Sequence, residues 1–224
     1  MEDIDAIAAL QDPVRRRLYE YVAAQGREVG RNEAAEAAGV ARTLAAHHLD
    51  KLTEAGLLES GSRRLTGRSG PGAGRPAKVY TRSRAERAVS LPARDYRTAA
   101  ELLAEAAEQA GLDAGLCAAA RRRGEALRGS AEPCGDLEEA MKLLADRGYE
   151  PHVEEADGEA AGVVRMRNCP FHAVAERFPP LVCGMNLALL EGLLGTEGPV
   201  RARMDARPGE CCVVIEPSEA SRTI

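Results

Sequence analysis

Arg42-Thr43-Leu44-Ala45-Ala46-His47-His48-Leu49-Asp50-Lys51-Leu52-Thr53-Glu54-Ala55-Gly56-Leu57-Leu58 is the stretch on which the fold of the first half of the chain turns. Leu44, His48, Leu49 and Leu52 recur at helical spacing and the pattern stops at Gly56, which predicts a helix over 42–55 with those four side chains facing a core. Upstream, Arg31 to Ala38 reads as a short alanine-rich helix, and Gly39-Val40 supplies a tight turn. Two helices joined through a glycine turn make a helix-turn-helix unit. Asp12-Pro13 interrupts the apolar series Ile7, Leu10, Val14, Leu18, Tyr21 and Val22, and is suited to cap and begin a helix running to about Ala24. Downstream, Leu57-Leu58 starts a strand, Arg63 to Gly74 is a loop rich in glycine and arginine, and Ala77 to Thr81 returns as a second strand. This hairpin reads as a wing.

Charge is distributed unevenly. The net charge of −5 divides into sixteen Lys and Arg against twelve Asp and Glu over 1–94, and fourteen against twenty-three over 95–224. Within 60–88 stand eight basic residues and one acid, so the positive field is concentrated in the wing, where phosphate is expected to be met. With the core face of 42–55 assigned, Arg42, Thr43, Ala46, His47 and Lys51 point outward as candidates for a major groove. Arg63, Arg64, Arg68, Arg75 and Lys78 are the wing's candidates. An arginine can pair with guanine O6 and N7 through two parallel bonds, whereas Thr43 and Lys51 suit phosphate. A charged helix face alone is commonly just solvated; the basic wing beside it is what favours double-stranded DNA. His47 and His48 diverge by about 100° on a helix and are poorly placed to chelate one ion. Tryptophan is absent and aromatics are few, which disfavours a stacking platform for single strands.

Residues 10–82 resemble the winged helix-turn-helix of ArsR-like bacterial regulators. The likeness is carried by Ala46-His47-His48-Leu49, by Glu54-Ala55-Gly56-Leu57-Leu58 and by Gly74-Arg75-Pro76-Ala77-Lys78-Val79-Tyr80. It implies that fold and DNA binding.

Asp95 to about Arg128 is again helical and alanine-rich, with Leu102, Leu103, Ala106, Ala110, Leu112 and Leu116 as candidate buried positions. A helix following a winged module most often packs on its twin in a dimer. Ser130-Ala131-Glu132-Pro133 ends it. Beyond lie an amphipathic helix (Leu137 to Arg147), a hairpin of Tyr149 to Glu155 and Gly162 to Arg167 around Asp157-Gly158, a short helix opened by Asn168-Cys169-Pro170-Phe171, a longer helix containing Leu187 to Leu194, and a closing hairpin of Val200 to Met204 and Cys211 to Glu216. The fold class expected is α+β: a winged helix-turn-helix domain over 1–94, a helical dimerisation linker over 95–130, and a small α+β sensory domain over 131–224.

Five of the six cysteines fall in this last module, and four of them, Cys169, Cys183, Cys211 and Cys212, each stand beside glycine, proline or another cysteine. No apolar run approaches membrane length and Met1-Glu2-Asp3-Ile4-Asp5 is acidic where a secretory leader would be basic, so a cytoplasmic protein without membrane partners is expected. In that reducing compartment clustered cysteines favour metal or redox chemistry over a disulfide framework. Thirteen residues separate Cys169 from Cys183 and twenty-seven separate Cys183 from Cys211, unlike the short paired spacing of a zinc ribbon. Three thiolates from a loop, a helix start and a strand suit an iron–sulfur cluster, of the two-iron or four-iron type. Helix N-termini beside Cys169 and Cys183 are expected to lower their thiol pKa values. Cys211 and Cys212 read as strand neighbours pointing to opposite faces, so Cys211 is favoured as ligand and Cys212 as core. His172 and Cys212 are the candidates for a fourth ligand, with Asp205 or Glu210 as competitors; Cys117 and Cys134 are read as incidental.

Residues 135–216 resemble the sensory domain of SufR-type repressors, ArsR-like regulators of iron–sulfur-cluster assembly operons. The likeness rests on Asn168-Cys169-Pro170-Phe171, Leu181-Val182-Cys183-Gly184-Met185-Asn186 and Pro208-Gly209-Glu210-Cys211-Cys212. It implies that Cys169, Cys183 and Cys211 take the places of the three cluster cysteines in a homodimer that binds a palindromic operator when loaded and releases it when the cluster is lost or oxidised. A zinc-dependent or thiol-redox regulator using the same cysteines is the alternative. An enzyme is disfavoured because the module offers only His152 and His172 and no nucleophile and base pair stands out.

Overall fold

The computed structural model describes residues 2–63, 76–154 and 162–218, and the chain divides into two compact units, Met1–Arg94 and Asp95–Ile224.

The first unit runs α1 (Glu2–Ala9), α2 (Pro13–Gln25), β1 (Val29–Gly30), α3 (Arg31–Ala38), α4 (Arg42–Glu54), β2 (Leu58–Arg63) and β3 (Ala77–Arg82). Asp12 caps α2 as its sequence implies, its carboxylate accepting from the amides of Val14 at 2.8 Å and Arg15 at 3.0 Å, with Pro13 in the first turn where its missing N–H costs nothing. Gly39 closes α3 at φ +64°, a left-handed conformation that glycine adopts without strain, and Val40 then donates back to Ala35 at 3.0 Å. That turn sets α4 against α2 and α3. Leu18, Val22, Val29, Ala34, Ala45, Leu49, Leu52, Leu58 and Tyr80 form the core. The three strands are antiparallel in the order β1-β3-β2, and the two-residue β1, too short to announce itself by alternation, pairs Val29 with Tyr80. Ala45, not Leu44 as the spacing predicts, fills the core, and Leu44 is 41% exposed. The series Ala45, Leu49, Leu52 holds the helical period as well as the leucine series does, so periodicity alone does not separate the two positions.

The second unit runs α5 (Tyr96–Gln109), α6 (Asp113–Arg128), α7 (Leu137–Ala145), β4 (Pro151–Glu154), β5 (Val163–Met166), α8 (His172–Ala175), α9 (Pro179–Leu194), β6 (Val200–Met204) and β7 (Val213–Pro217). The helix expected over Asp95 to Arg128 is therefore two, broken at Gly111 with φ +63°. Of the positions expected inside, Leu102, Leu103 and Leu112 are exposed and Ala106 and Ala110 also face out; Ala104 is buried and Leu116 half-buried. Helix α6 lies along α9 at very short range. A β-carbon at Gly124 would overlap the carbonyl oxygen of Leu189, and one at Gly192 would overlap that of Arg121. Cys117 and Gly184 face each other two turns earlier on the same pair, so the helices run parallel. Arg121 reaches Glu191 at 2.6 Å, and Arg128 donates to the carbonyl of Gly192 at 3.3 Å.

Helices α7 and α9 cover the antiparallel sheet β4-β5-β7-β6, with Ala140, Leu144, Val164, Met166, Leu190, Leu193, Val213 and Ile215 between them. Strand alternation sends Arg165 and Glu216 to the opposite face. Arg165 is almost fully buried yet saturated: it donates to Glu154 at 2.7 Å and to the Asp205 carboxylate at 2.5 Å, while Arg201 and Arg203 hold Glu216. No helix among the described residues is long and apolar enough to cross a membrane.

Candidate DNA-reading surface and cysteine site

Helix α4 presents Arg42, Thr43, His47 and Lys51 to solvent, with Ala46 half-buried between them. Lys51 forms an intrahelical pair with Glu54 at 2.8 Å, and His48 faces inward with a buried, unpartnered Nδ1. Arg63 is exposed and pairs with Glu28 at 3.0 Å. Arg64, Arg68 and Arg75 lie outside the described residues.

Lys78 is engaged within the fold. Asp50, on the flank of α4, accepts from Lys78 Nζ at 2.8 Å, from the Tyr80 hydroxyl at 2.6 Å and from Arg31 at 3.1 Å, while Arg31 also donates to the Tyr80 hydroxyl at 2.9 Å. Burial acts to raise the Asp50 pKa, but the bonds from Lys78 and Tyr80 outweigh it and hold the carboxyl below its ordinary value. Burial, with the Asp50 bond added, pushes the Tyr80 hydroxyl up to about 12. One carboxylate thus fastens the wing strand and the N-terminus of α3 to the outward-facing helix. Its partners stand 19, 28 and 30 residues away, so no local pattern in the sequence marks it.

The second unit brings four thiols together from three segments. Cys169 precedes α8, Cys183 lies in the second turn of α9, and Cys211 and Cys212 lie in the approach to β7. Cys183 and Cys212 stand Sγ to Sγ at 2.9 Å, and Cys211 shares a hydrogen bond with Cys169. The vicinal pair is not in a strand: the turn at Pro208-Gly209 continues through a bend at Cys212, and pairing begins at Val213. Opposed facing therefore does not apply, and Cys212, expected in the core, meets Cys183. Cys211 N–H donates to the Met166 carbonyl and Asp205 N–H to that of Cys212, which seats the bend on the sheet.

These environments sort the thiols. The bond from Cys211 lowers the Cys169 pKa against burial, with help from the Phe171 amide. Cys211 keeps the shared proton and is raised, by that bond first and by burial second. Burial, then Cys212, pushes Cys183 up to about 12. The lowering expected from a helix N-terminus thus holds in direction for Cys169 and fails for Cys183, where desolvation exceeds any favourable dipole.

Asn186, one helical turn beyond Cys183 and 2% exposed, donates to Cys211 Sγ at 3.4 Å and accepts the Tyr149 hydroxyl at 2.5 Å. The spacing of Cys183 and Asn186 carried that signal, since residues three apart share a helix face. Phe178, Leu181 and Val182, with Ala104 of α5 and Leu116 of α6 against them, form an apolar cluster around the start of α9. His172 is exposed and directed to Glu176 at 3.2 Å, so Cys212 rather than His172 joins the other thiols. Glu210 reaches His152 at 3.4 Å and Asp205 is taken by Arg165. Cys134 is buried and donates to the Asp136 carbonyl. Among the described residues no three His, Cys, Asp or Glu side chains stand in the arrangement that grips a single ion.

Residues 10–61 match the family model of a helix-turn-helix domain. Comparisons with curated proteins and with solved structures gave no match. The chain carries an N-terminal helix-turn-helix domain in which α4 presents a polar face outward, and that domain supports a DNA-binding transcriptional regulator. The match ends at Gly61, so it speaks for the first unit.

Proposed function

We propose that the protein is a homodimeric transcriptional repressor that reads iron–sulfur-cluster or redox status through a cluster held by Cys169, Cys183 and Cys211, with Cys212 as the fourth thiol. Genes of iron–sulfur-cluster assembly are its expected targets, by resemblance to SufR-type repressors. The observation that carries the reading is the convergence of four cysteines from three separated segments into two contacting pairs. Four soft sulfurs suit iron–sulfur chemistry, in which different thiolates hold different irons, and the two contacting pairs would part to admit such a group. The cluster, when bound, supplies an oxidisable and removable cross-link. The chain's own residues do the rest: Asn186 donates to the Cys211 sulfur, Arg165 pins the segment that carries Cys211 and Cys212, and the apolar cluster around Phe178 limits water.

Ligation would tie the Cys169 segment to α9 and to the approach to β7. Helix α6, locked along α9, would then be the element through which the site sets the spacing of two recognition helices over half-sites one DNA turn apart. The exposed Leu102, Leu103 and Leu112 supply an apolar face for the twin copy.

Absorption of protein purified without oxygen, with iron, zinc and acid-labile sulfide measured on the same sample, tests this. Iron and sulfide in similar amounts, lost in Cys169→Ser, support the cluster. Zinc without sulfide moves the assignment to a zinc-dependent regulator, and bare thiols to a thiol-redox one.

A further inference from the structure

We propose that Cys183 and Cys212 form a hydroperoxide-reactive dithiol that closes to a disulfide when the site carries no metal group, a state that excludes ligation by either sulfur. The proposal rests on the cysteine reading above. Its basis is geometric: the two sulfurs are already in contact at 2.9 Å, and both cysteines are free. A disulfide at about 2.05 Å needs less than one ångström of approach, within the reach of a side-chain rotation. One partner sits on the rigid helix α9 and the other on a bend, so the bend can supply the movement.

The other thiols are less suited. Cys211 is buried and already holds Cys169 and the Asn186 amide. Cys117 faces Gly184 from α6, on a helix fixed to α9 by the Gly124 and Gly192 contacts. Cys212 is half-buried where Cys183 is only 7% exposed, so the oxidant meets Cys212 first.

The chemistry runs in two balanced steps. Cys212 sulfur attacks the peroxide: the O–O bond breaks, an S–O bond forms, and the thiol proton leaves with the departing alkoxide or hydroxide as alcohol or water. Sulfur is oxidised by two electrons and the peroxide reduced by two. Cys183 then attacks the sulfenic sulfur of Cys212; the S–S bond forms, the S–O bond breaks, and water departs carrying the Cys183 proton. A thiol reductant reverses the closure, so the site accepts a metal group again only after reduction. Loss of a cluster and exposure to peroxide would thereby be recorded in one place.

The test uses the full chain, purified without oxygen, freed of metal with a chelator, treated with equimolar hydrogen peroxide, alkylated and mapped by mass spectrometry. Expected are the loss of two hydrogens and a peptide joining Cys183 to Cys212, abolished in Cys212→Ser and in Cys212→Ala and retained in Cys169→Ser. Dithiothreitol should restore alkylation of both thiols. A cross-link between Cys169 and Cys211 or between Cys117 and Cys183, or a Cys212 that proceeds to sulfinic acid with Cys183 still free, overturns the proposal. Iron and sulfide content reports the cluster separately. A chain that forms the cross-link but never loads iron refutes the cluster alone, and one that loads iron but never cross-links refutes the dithiol alone.

Discussion

Replacing Gly192 by alanine puts a methyl group where α6 and α9 touch, and the response measures how closely those helices are joined. The added carbon would overlap the Arg121 carbonyl oxygen and lie 3.0 Å from the amide nitrogen of Glu125. Both obstacles are backbone, so no side chain can swing aside and the helices must part. Overpacking of this kind costs about 1–3 kcal/mol. Alanine's higher helix propensity returns up to about 1 kcal/mol, leaving a net loss of about 1–2 kcal/mol. With a urea slope of about 1–3 kcal/mol per molar, the unfolding midpoint of this unit should fall by about 0.3–2 M. Hydrogen exchange of α6 and α9 peptides across the urea series assigns the change to these helices. Gly115, on α6, is the control: a β-carbon there meets nothing within 4 Å, so Gly115→Ala should stabilise by about 0.5–1 kcal/mol or leave stability unchanged. If Gly192→Ala is as stable as the parent, or gains what Gly115→Ala gains, the helices are not in backbone contact and α6 cannot transmit what happens at Cys183.

Four further outcomes follow from the same geometry. Asp50→Ala should cost about 1–2 kcal/mol in thermal or urea unfolding of the first unit, chiefly because the buried Tyr80 hydroxyl loses its acceptor. Because the Asp50 carboxyl is held below its ordinary value, its contribution is complete above about pH 4 and lost as pH falls through the folded value. The stability gap between the parent and Asp50→Asn, measured against pH, should therefore narrow below about pH 4 and not on the alkaline side. On operator DNA, Arg42→Ala should cost about 1–3 kcal/mol and relax preference at one base, whereas Arg63→Ala should weaken all sequences alike and reduce the salt slope by about 1. Equal effects in fluorescence-anisotropy titrations would show that α4 is not the reading element. Asn186→Leu should destabilise by about 1–3 kcal/mol, since the buried Tyr149 hydroxyl loses its acceptor, and should speed iron loss from anaerobically prepared protein.

Much of the first unit was legible because its determinants are local. Asp12-Pro13 starts a helix, Gly39 ends one, and the period of Leu49 and Leu52 names a buried face, each within one or two turns of chain. Leu44 shows the limit: periodicity gives a face some 100° wide, and only packing decides whether Ala45 or Leu44 stands at its centre. In the second unit the order of elements is also readable, but the sequence over 95–128 reads as one helix where Gly111 at positive φ makes two. Alanine-rich sequence continues the helical pattern through such a break, because Ala110 and Leu112 are themselves good helix formers. The cysteines stand out as a group in the sequence, yet their pairing follows from where β7 begins. A shift of two residues, from Cys211 to Val213, took the vicinal pair out of strand geometry and gave Cys212 a partner.

That shift also explains how two adjacent cysteines serve one site. In a strand, neighbours diverge to opposite faces, one toward α9 and one toward the charged face with Arg165 and Glu216. The bend removes the constraint, but a bend is held only by what binds its backbone and its preceding turn. Here Met166 accepts from Cys211 N–H, Cys212 accepts from Asp205 N–H, and Asp205 is itself gripped by Arg165. Arg165 is nearly inaccessible to water, and leaving it without carboxylate partners would strand a buried charge. The same charged face that plays no part in sulfur chemistry therefore fixes where Cys211 and Cys212 stand. Loosening it at Asp205 should scatter the thiols before it unfolds the sheet, because strand pairing of β6 with β7 and the apolar face beneath them do not depend on that carboxylate.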